Sequence, residues 1–343
     1  MVVCIAEDRT SCEPALRVLL SSLNAFSPGV AVWLLLERPT PGFLTWVEKF
    51  PDVSVRPFPP DDKGWNIKPS VLMAALEAGH AEAIWADSDI VFTSDFRREL
   101  EQSPPDALVG TEEALWGTPY DGDAERARAW RFDVARALPS TINTCFVRVG
   151  AHHRPLLERW RDLLRSPAYL AAQDIPLMSR PTHLVGDQDV LTALLCSRAF
   201  AHLEVSQLRR GKGIIQAFGL KGFNTKERLA ALTRGMPPII HSQQFKPWLT
   251  KSANDVGGGV YGRLNLIYLD ASPYTFYASK FAGSLDGDTA WLKPRTWTGR
   301  LLRILGLQSA ALTGLPLAFG FDVIFWVVSL GKPRKRAPFA GGN

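Results

Sequence analysis

Pairs of aspartates two residues apart are the first candidates for chemistry in this chain, and they occur at Asp87/Asp89, Asp121/Asp123, Asp187/Asp189 and Asp286/Asp288. The second and fourth pairs enclose a glycine, which is typical of solvated turns. The pair around Ser88 differs because it lies within the apolar residues 84–92. Burying carboxylates is costly unless something pairs with them, and a divalent cation is a natural partner. On an extended chain both side chains can face one Mg²⁺ or Mn²⁺, and a helix-capping pair after a core strand is the alternative.

Two other polar sites follow apolar runs. Glu7 and Asp8 follow residues 2–6, and His241 follows residues 238–240. Because open parallel sheets bind ligands beyond the carboxyl ends of their strands, these residues are candidates for a common site. A neutral imidazole can share a cation with carboxylates, so His241 is a candidate third ligand. A core histidine whose ring is satisfied by its neighbours is the alternative.

Apolar runs that predict strands alternate with apolar residues at helical spacing. Strands are predicted at residues 2–6, 30–36, 53–55, 83–86, 90–92, 143–149, 214–218 and 239–241. Helices are predicted at residues 16–23, 43–50, 67–78, 156–164 and 189–196. This alternation is typical of an α/β fold with a mainly parallel sheet flanked by helices.

Residues 84–92, with the sequence Ile-Trp-Ala-Asp-Ser-Asp-Ile-Val-Phe, resemble the metal-binding D-x-D segment of GT-A fold glycosyltransferases. Within that fold the chain is most similar to glycosyltransferase family 8, the group of glycogenin and bacterial lipo-oligosaccharide galactosyltransferases. Further segments follow in the family's order through residues 2–248. The resemblance implies a GT-A fold, a Rossmann-like sheet flanked by helices, and a nucleotide-sugar donor that binds with Mn²⁺ or Mg²⁺.

The resemblance also implies roles for individual residues. The metal ligands would be Asp87, Asp89 and His241. The donor would be bound by Ala6, Glu7, Asp8, Lys68, Asp87, Ser88, Asn143 and Lys246. Among these, Lys68 and Lys246 correspond to residues that approach the phosphates, and Asn143 corresponds to a residue that lines the sugar pocket. In place of the family's small residue and glycine, Asn143 is followed by Thr144 and Cys145.

Asp187 and Gln188 belong to a segment that resembles the family's Asp-Gln-Asp segment beside the reacting sugar carbon, so they are the candidate catalytic residues. A second interpretation of Asp187 is an N-cap of the helix predicted at residues 189–196. A metal with nearby lysines would neutralise a departing nucleoside diphosphate. We therefore predict a metal-dependent transfer of a hexose from a nucleotide sugar; the resemblance to the family implies a UDP-sugar and retention.

Two other functional classes compete with this prediction. A nucleotidyltransferase that makes nucleotide sugars would need a glycine-rich, arginine-containing loop after residues 2–6, and that loop is missing. A non-catalytic, membrane-bound scaffold would have a degenerate site, against which the set Asp87, Asp89 and His241 argues.

Basic charge is concentrated at the end of the chain. Residues 293–343 hold eight basic residues and one acidic residue, whereas the rest holds 31 basic and 33 acidic ones. Residues 310–330 are almost entirely apolar, with Asp322 among them. A charge there disfavours a transmembrane span, and basic flanks favour an interfacial segment on the cytoplasmic leaflet. A hairpin of core helices that closes the domain is the alternative.

The 343 residues are 46% hydrophobic and 21% charged, which excludes a disordered chain. No nucleic-acid-binding motif accompanies the basic tail, so we predict no nucleic-acid partner. The four cysteines show no C-x-x-C pair and are predicted to be buried, reduced thiols. We thus expect a GT-A catalytic domain at residues 1–292 and a membrane-associating tail at 293–343. The protein would be cytoplasmic, peripheral to the inner face of the cell membrane, and would act on a saccharide or glycolipid acceptor linked to that membrane.

Overall fold

The computed structural model describes residues 1–59, 64–113, 124–219, 222–306 and 309–330. Its strands are β1 Val2–Glu7, β2 Ala31–Leu36, β3 Val53–Pro57, β4 Glu82–Ala86, β5 Ile90–Phe92, β6 Leu108–Glu112, β7 Ile142–Gly150, β8 Val205–Leu208, β9 Ile214–Gln216 and β10 Ile239–His241. Its α-helices are α1 Glu13–Phe26, α2 Pro41–Val47, α3 Lys68–Glu77, α4 Arg97–Leu100, α5 Ala124–Ala129, α6 Arg154–Leu164, α7 Pro167–Gln173, α8 Asp187–Cys196, α9 Thr225–Arg234, α10 Gly259–Ala271, α11 Pro273–Ser279, α12 Trp297–Leu305, α13 Ala310–Thr313 and α14 Leu315–Leu330.

A seven-stranded sheet with the strand order β3-β2-β1-β4-β7-β6-β8 forms the centre of the protein. The first four strands in that order run parallel, β7 runs antiparallel to β4 and β6, and β8 is parallel to β6. The predicted α/β fold with a mainly parallel sheet is therefore confirmed. This topology arises because short apolar strands alternate with helices. Each helix is long enough to bring the chain back across the sheet, so that the next strand can run parallel to the previous one.

Helices cover both faces of this sheet. Val2 and Cys4 of β1 belong to a core shared with α3, α6 and α8, whereas Val3 and Ile5 belong to a core shared with α1 and α2. Alternate residues of a strand point to opposite faces, so a strand buried on both sides must be apolar throughout. This is why the first strand reads as a continuous hydrophobic run.

A smaller sheet with the order β5-β10-β9 lies beyond the end of β4. Strand β10 runs antiparallel to β5, and His241 pairs with Ile90 in that register. The backbone N–H of Ser242 donates to the carbonyl oxygen of Asp89 at 2.9 Å. Pairing of two short strands distant in sequence therefore brings His241 to the aspartate pair.

The C-terminal helices pack around a third core that includes the buried side chains Trp248, Tyr274 and Trp291. On α12, the guanidinium of Arg303 donates to the carbonyl oxygens of Asp270 and Leu292, at 3.0 Å each. No helix in the described parts of the chain is both long and apolar enough to cross a membrane.

Helix α9 is bonded to both α13 and α14. Arg228 of α9 donates to the carbonyl oxygens of Ala310 and Ala311 in α13, and the N–H of Thr225 donates to Asp322 of α14 at 3.0 Å. Helix α14 exposes large apolar residues, among them Phe319, Ile324 and Trp326.

Several local predictions can be compared with the structure. The four cysteines are buried and unpaired, as predicted. Gly79, two residues after the last residue of α3, has φ +92°, a conformation that favours glycine. His153, which directly precedes α6, is buried. It is only 1% exposed because its ring turns inward and Nδ1 accepts a hydrogen bond from the N–H of Gly150 at 3.0 Å. Asp121 and Asp123 lie outside the described residues.

Candidate metal centre

Asp87, Asp89 and His241 form the candidate metal centre, and their ligand atoms all lie within 4.8 Å of one another. Nε2 of His241 is 3.3 Å from Oδ1 of Asp89 and 3.9 Å from Oδ2 of Asp87. Asp87 follows β4, Asp89 precedes β5 and His241 ends β10. The structure therefore brings together the three residues that the sequence singled out as ligands.

The donor set fits a hard divalent cation, since it offers two carboxylates and one imidazole nitrogen. Gln216, which ends β9, determines which nitrogen is offered. Its Oε1 lies 2.7 Å from Nδ1 of His241, and its Nε2 donates to the carbonyl oxygen of Glu112 at 3.1 Å. Because an amide oxygen only accepts, Nδ1 must carry a proton, so Nε2 is the nitrogen that a metal would bind. Burial lowers the pKa of His241, but neighbours that include Asp89 outweigh this effect and raise the pKa, so a metal would take the place of the proton on Nε2.

Electrostatics keep the buried Asp89 ionised. Burial alone would raise its pKa, but Lys246 and His241 outweigh that effect and hold the pKa of Asp89 below its ordinary value. Nζ of Lys246 is paired with the Asp89 carboxylate and also donates to the carbonyl oxygen of Ser242 at 2.6 Å. A ligand that stays anionic at neutral pH suits cation binding.

The predicted donor-binding residues at the end of β1 connect directly to this centre. The hydroxyl of Ser88 donates to Glu7 at 2.5 Å, and the guanidinium of Arg9 donates to both carboxylate oxygens of Glu7 at 2.7 and 3.0 Å. Asp8 accepts from the N–H of Gly64 at 3.0 Å. Ala6 lies in β1 itself, in register with Leu35 of β2.

Lys68, at the start of α3, is 3% exposed and lies between two of the predicted site aspartates. Its Nζ is 3.1 Å from Asp87 Oδ1 and 3.3 Å from Asp187 Oδ2, and it donates to the hydroxyl of Thr144 at 2.9 Å. Burial would lower the pKa of Lys68, but Asp187 and Asp87 outweigh it and raise the pKa above its ordinary value. The ammonium group therefore remains charged.

Asp187 is the first residue of α8, and its N-cap interpretation was wrong. Gly186 occupies the N-cap position, and its N–H donates to Asp189 at 3.0 Å. Oδ2 of Asp187 instead accepts from the hydroxyl of Thr144 at 2.6 Å. Burial raises the pKa of Asp187 in spite of the opposing charge of Lys68. The carboxylate thus faces the cluster and not its own helix.

Two residues that the sequence did not single out belong to the same neighbourhood. One is Gln216, described above. The other is Glu113, which follows β6 and is 8% exposed. Its carboxylate accepts hydrogen bonds from Asn143 Nδ2 at 2.7 Å, from Gln188 Nε2 at 2.9 Å and from Gln243 Nε2 at 2.7 Å. Glu113 follows Thr111 and Glu112 and not an apolar residue, so the sequence carries no local signal for it.

No model of a protein family matches the chain, and no curated protein does. Among solved structures, the chain is similar to the apo WbbM bifunctional glycosyltransferase, with 11% identity, a TM-score of 0.49 and coverage of 85% of this chain and 50% of that one. It is also similar to galactosyltransferase LgtC in complex with donor and acceptor sugar analogs, with 12% identity, a TM-score of 0.45 and coverage of 83% and 100%. For mouse xyloside xylosyltransferase 1 the identity is 14%, the TM-score 0.42 and the coverage 71% and 98%. The chain thus spans half the length of the first of these, and all three are named as glycosyltransferases, the class that the sequence resembles.

Proposed function

We propose that this protein is a metal-dependent glycosyltransferase that moves a hexose from a nucleotide sugar, a UDP-sugar, to an acceptor with retention. The convergence of Asp87, Asp89 and His241 within 4.8 Å carries the proposal. Three ligands from two segments of the chain leave coordination positions of a Mn²⁺ or Mg²⁺ ion open for the phosphates of the donor. When bound, such an ion supplies Lewis-acid neutralisation of the departing diphosphate.

The residues of this chain have separate tasks in the proposed reaction. Glu7 and Asp8, at the end of β1, bind the nucleoside part of the donor together with Ala6. Lys246, already paired with Asp89, lies close enough to the metal centre to exchange that contact for a phosphate oxygen. Its positive charge would stabilise the diphosphate as the bond to the sugar breaks.

Asp187 and Gln188 act on the sugar side of the proposed reaction. Positive charge develops on the sugar carbon whose bond to the diphosphate breaks, and carboxylate or amide oxygens stabilise such charge. The Asp187 carboxyl group is buried against Lys68, which holds it in place, so its oxygens would be offered to the sugar in a fixed position. In retaining chemistry of this kind the acceptor hydroxyl loses its proton to the departing phosphate, so a separate general base among the side chains is not required.

We further propose that the acceptor is a saccharide or glycolipid linked to the membrane and that the protein binds the inner leaflet peripherally. Two observations support this proposal. Helix α14 exposes large apolar residues, and residues 293–343 carry a net charge of +7. Apolar side chains enter the boundary between headgroups and acyl chains, and basic residues add electrostatic attraction to anionic lipids.

The experiment that tests the proposed function measures UDP binding and UDP release from a panel of UDP-sugars, with Mn²⁺ and with EDTA. Wild type should bind UDP only with the metal and release it from one donor. Asp89→Ala should abolish both, because it removes a metal ligand. Asp288→Ala is the matched control, since Asp288 belongs to an exposed aspartate pair, and it should behave as wild type.

The alternatives give different results in the same experiment. Release of pyrophosphate from UTP and a sugar phosphate would indicate a nucleotidyltransferase and overturn the proposal. Neither metal-dependent UDP binding nor release from any donor would indicate a non-catalytic scaffold.

A further inference from the structure

Glu113 joins three segments of the chain at one carboxylate. Oε2 accepts from Asn143 of β7 and from Gln188 in the first turn of α8, and Oε1 accepts from Gln243, two residues beyond His241. The three amide nitrogens lie 2.7–2.9 Å from the carboxylate oxygens. These are short, charge-assisted hydrogen bonds, which are stronger than bonds between neutral groups.

Glu113 is itself held in place. It follows β6 directly, and its backbone N–H donates to the carbonyl oxygen of Thr141 at 3.1 Å. The register of β6 and β7 pairs Glu112 with Ile142, so this bond continues the ladder of the central sheet. With 8% exposure, the carboxylate has little room to turn away from its three amides.

The amides have only one possible orientation toward this group. A side-chain amide carries an NH₂ donor and an oxygen acceptor, and turning it by about 180° exchanges them with almost no change in shape. An ionised carboxylate only accepts hydrogen bonds. Each of the three amides must therefore direct its NH₂ at Glu113 and its oxygen away.

The side-chain oxygens of Asn143 and Gln243 illustrate how Glu113 restricts the orientation of these amides. The oxygen of Asn143 accepts from the N–H of Cys145 at 2.9 Å, as the orientation requires. The oxygen of Gln243 is buried and has no hydrogen-bond partner among the described residues. An amide that leaves its oxygen without a partner is held by its NH₂ contact, so Glu113 determines the orientation of Gln243.

We propose that Glu113 is a positioning residue that sets the amide of Gln188 so that its oxygen, and not its NH₂, faces the reacting carbon of the donor sugar. This rests on the proposed function, which assigns Gln188 to that side of the sugar. An amide oxygen stabilises the positive charge that develops on the sugar, whereas an NH₂ group in the same place would oppose it. Glu113 acts through Gln188 and does not touch the sugar.

The first test is kinetic. Glu113→Gln has nearly the same shape but offers both an acceptor and a donor, so it no longer forces the orientation of Gln188. We expect kcat for UDP release to fall about tenfold to a hundredfold, as for other partners that orient site residues. The Kd for UDP with Mn²⁺ should stay unchanged, because UDP lacks the sugar whose pocket Asn143 would line. Glu227→Gln is the matched control, since Glu227 caps α9 by accepting from the N–H of Asn224 at 3.0 Å, and it should keep kcat.

A double-mutant cycle separates positioning from a general structural effect. If Glu113 acts through Gln188, then Glu113→Gln should cause no further loss of kcat in the Gln188→Ala background. An equal loss in both backgrounds, an unchanged kcat in Glu113→Gln, or UDP binding that weakens as much as kcat would each overturn the proposal.

The second test does not depend on activity. In protein labelled with ¹⁵N at glutamine side chains, Gln188→Ala identifies the amide signal of Gln188. This signal should shift and its protons should exchange faster with water in Glu113→Gln than in wild type. An unchanged signal overturns the proposal. Wild type that neither binds UDP nor releases it would overturn the proposed function, and with it the effect on the sugar, while the amide signal would still decide whether Glu113 orients Gln188.

Discussion

The ammonium group of Lys68 lies 3.1 Å from Oδ1 of Asp87, a candidate metal ligand, and is almost completely shielded from solvent. The same group lies 3.3 Å from Asp187 on the other side. The half-buried Asp87 and the buried Asp187 can be neighbours here because one cation lies between them. Lys68 therefore links the metal side of the candidate site to the side assigned to the sugar.

Removing the positive charge of Lys68 should destabilise the protein strongly. Lys68→Met leaves the buried Asp187 and the half-buried Asp87 without their counter-charge, and breaking a buried ion pair such as Lys68 with Asp187 typically costs about 3–5 kcal/mol. The free energy of unfolding in urea measures this loss. Lys49→Met, which breaks the exposed pair of Lys49 with Asp286, is the control and should change stability by at most about 1 kcal/mol. Adding Asp187→Asn to Lys68→Met should restore part of the loss, and no restoration would mean that the lysine acts through packing alone.

Gln216 should tune the affinity of the metal centre through His241. Gln216→Leu removes the acceptor at Nδ1, so the proton is free to move to Nε2, the nitrogen that would bind the metal. Loss of such an orienting partner typically lowers metal affinity about tenfold to a hundredfold. Calorimetric titration with Mn²⁺ in the presence of UDP measures it. Gln207→Leu removes a comparable amide that bonds to Ser140, and equal losses in the two variants would contradict the role of Gln216.

The candidate metal ligands were predictable because each carries a local signal. Asp87 and Asp89 interrupt an apolar stretch, and His241 ends one, so each lies at the end of an apolar run, where open sheets place their ligand sites. The structure confirms that the three residues converge within 4.8 Å. His241 reaches the aspartates through the pairing of β10 with β5.

Glu113 and Gln216 were not predictable in the same way, since their roles depend on partners far away in sequence. Glu113 receives amides from residues 30, 75 and 130 positions later, and Gln216 meets His241 only because β9 pairs with β10. The start of α8 was placed two residues late because Asp187 resembles an N-cap, whereas Gly186 takes that position. Side-chain networks of this kind are a property of the tertiary fold, and a single sequence does not contain them locally.

The buried His153 should make stability depend on pH. Burial lowers the pKa of His153 from 6.5 to about 4, so the folded state favours the neutral ring. This contribution to stability is fully present above about pH 6.5 and is lost as the pH falls toward 4, by about 3 kcal/mol at most. Urea denaturation between pH 4.5 and 7.5 should show a flatter profile for His153→Asn. His202→Asn alters an exposed histidine and should keep the wild-type profile, and an equal flattening in both variants would exclude His153 as the source.

The exposed apolar residues of α14 should control binding to anionic vesicles. Phe319 and Ile324 are 60% and 63% exposed, so replacing each with serine removes apolar surface and leaves the bond between Thr225 and Asp322 in place. Burying such a side chain at a bilayer surface contributes about 1.5–3 kcal/mol when complete, so the double variant should bind at least about tenfold more weakly. Sedimentation with vesicles that contain phosphatidylserine measures binding, and Met178→Ser, at an 80% exposed position outside the helix, is the control. Binding should also weaken as salt rises, because the basic residues of 293–343 attract the surface electrostatically. Equal binding of wild type and the double variant would show that α14 does not contact the membrane.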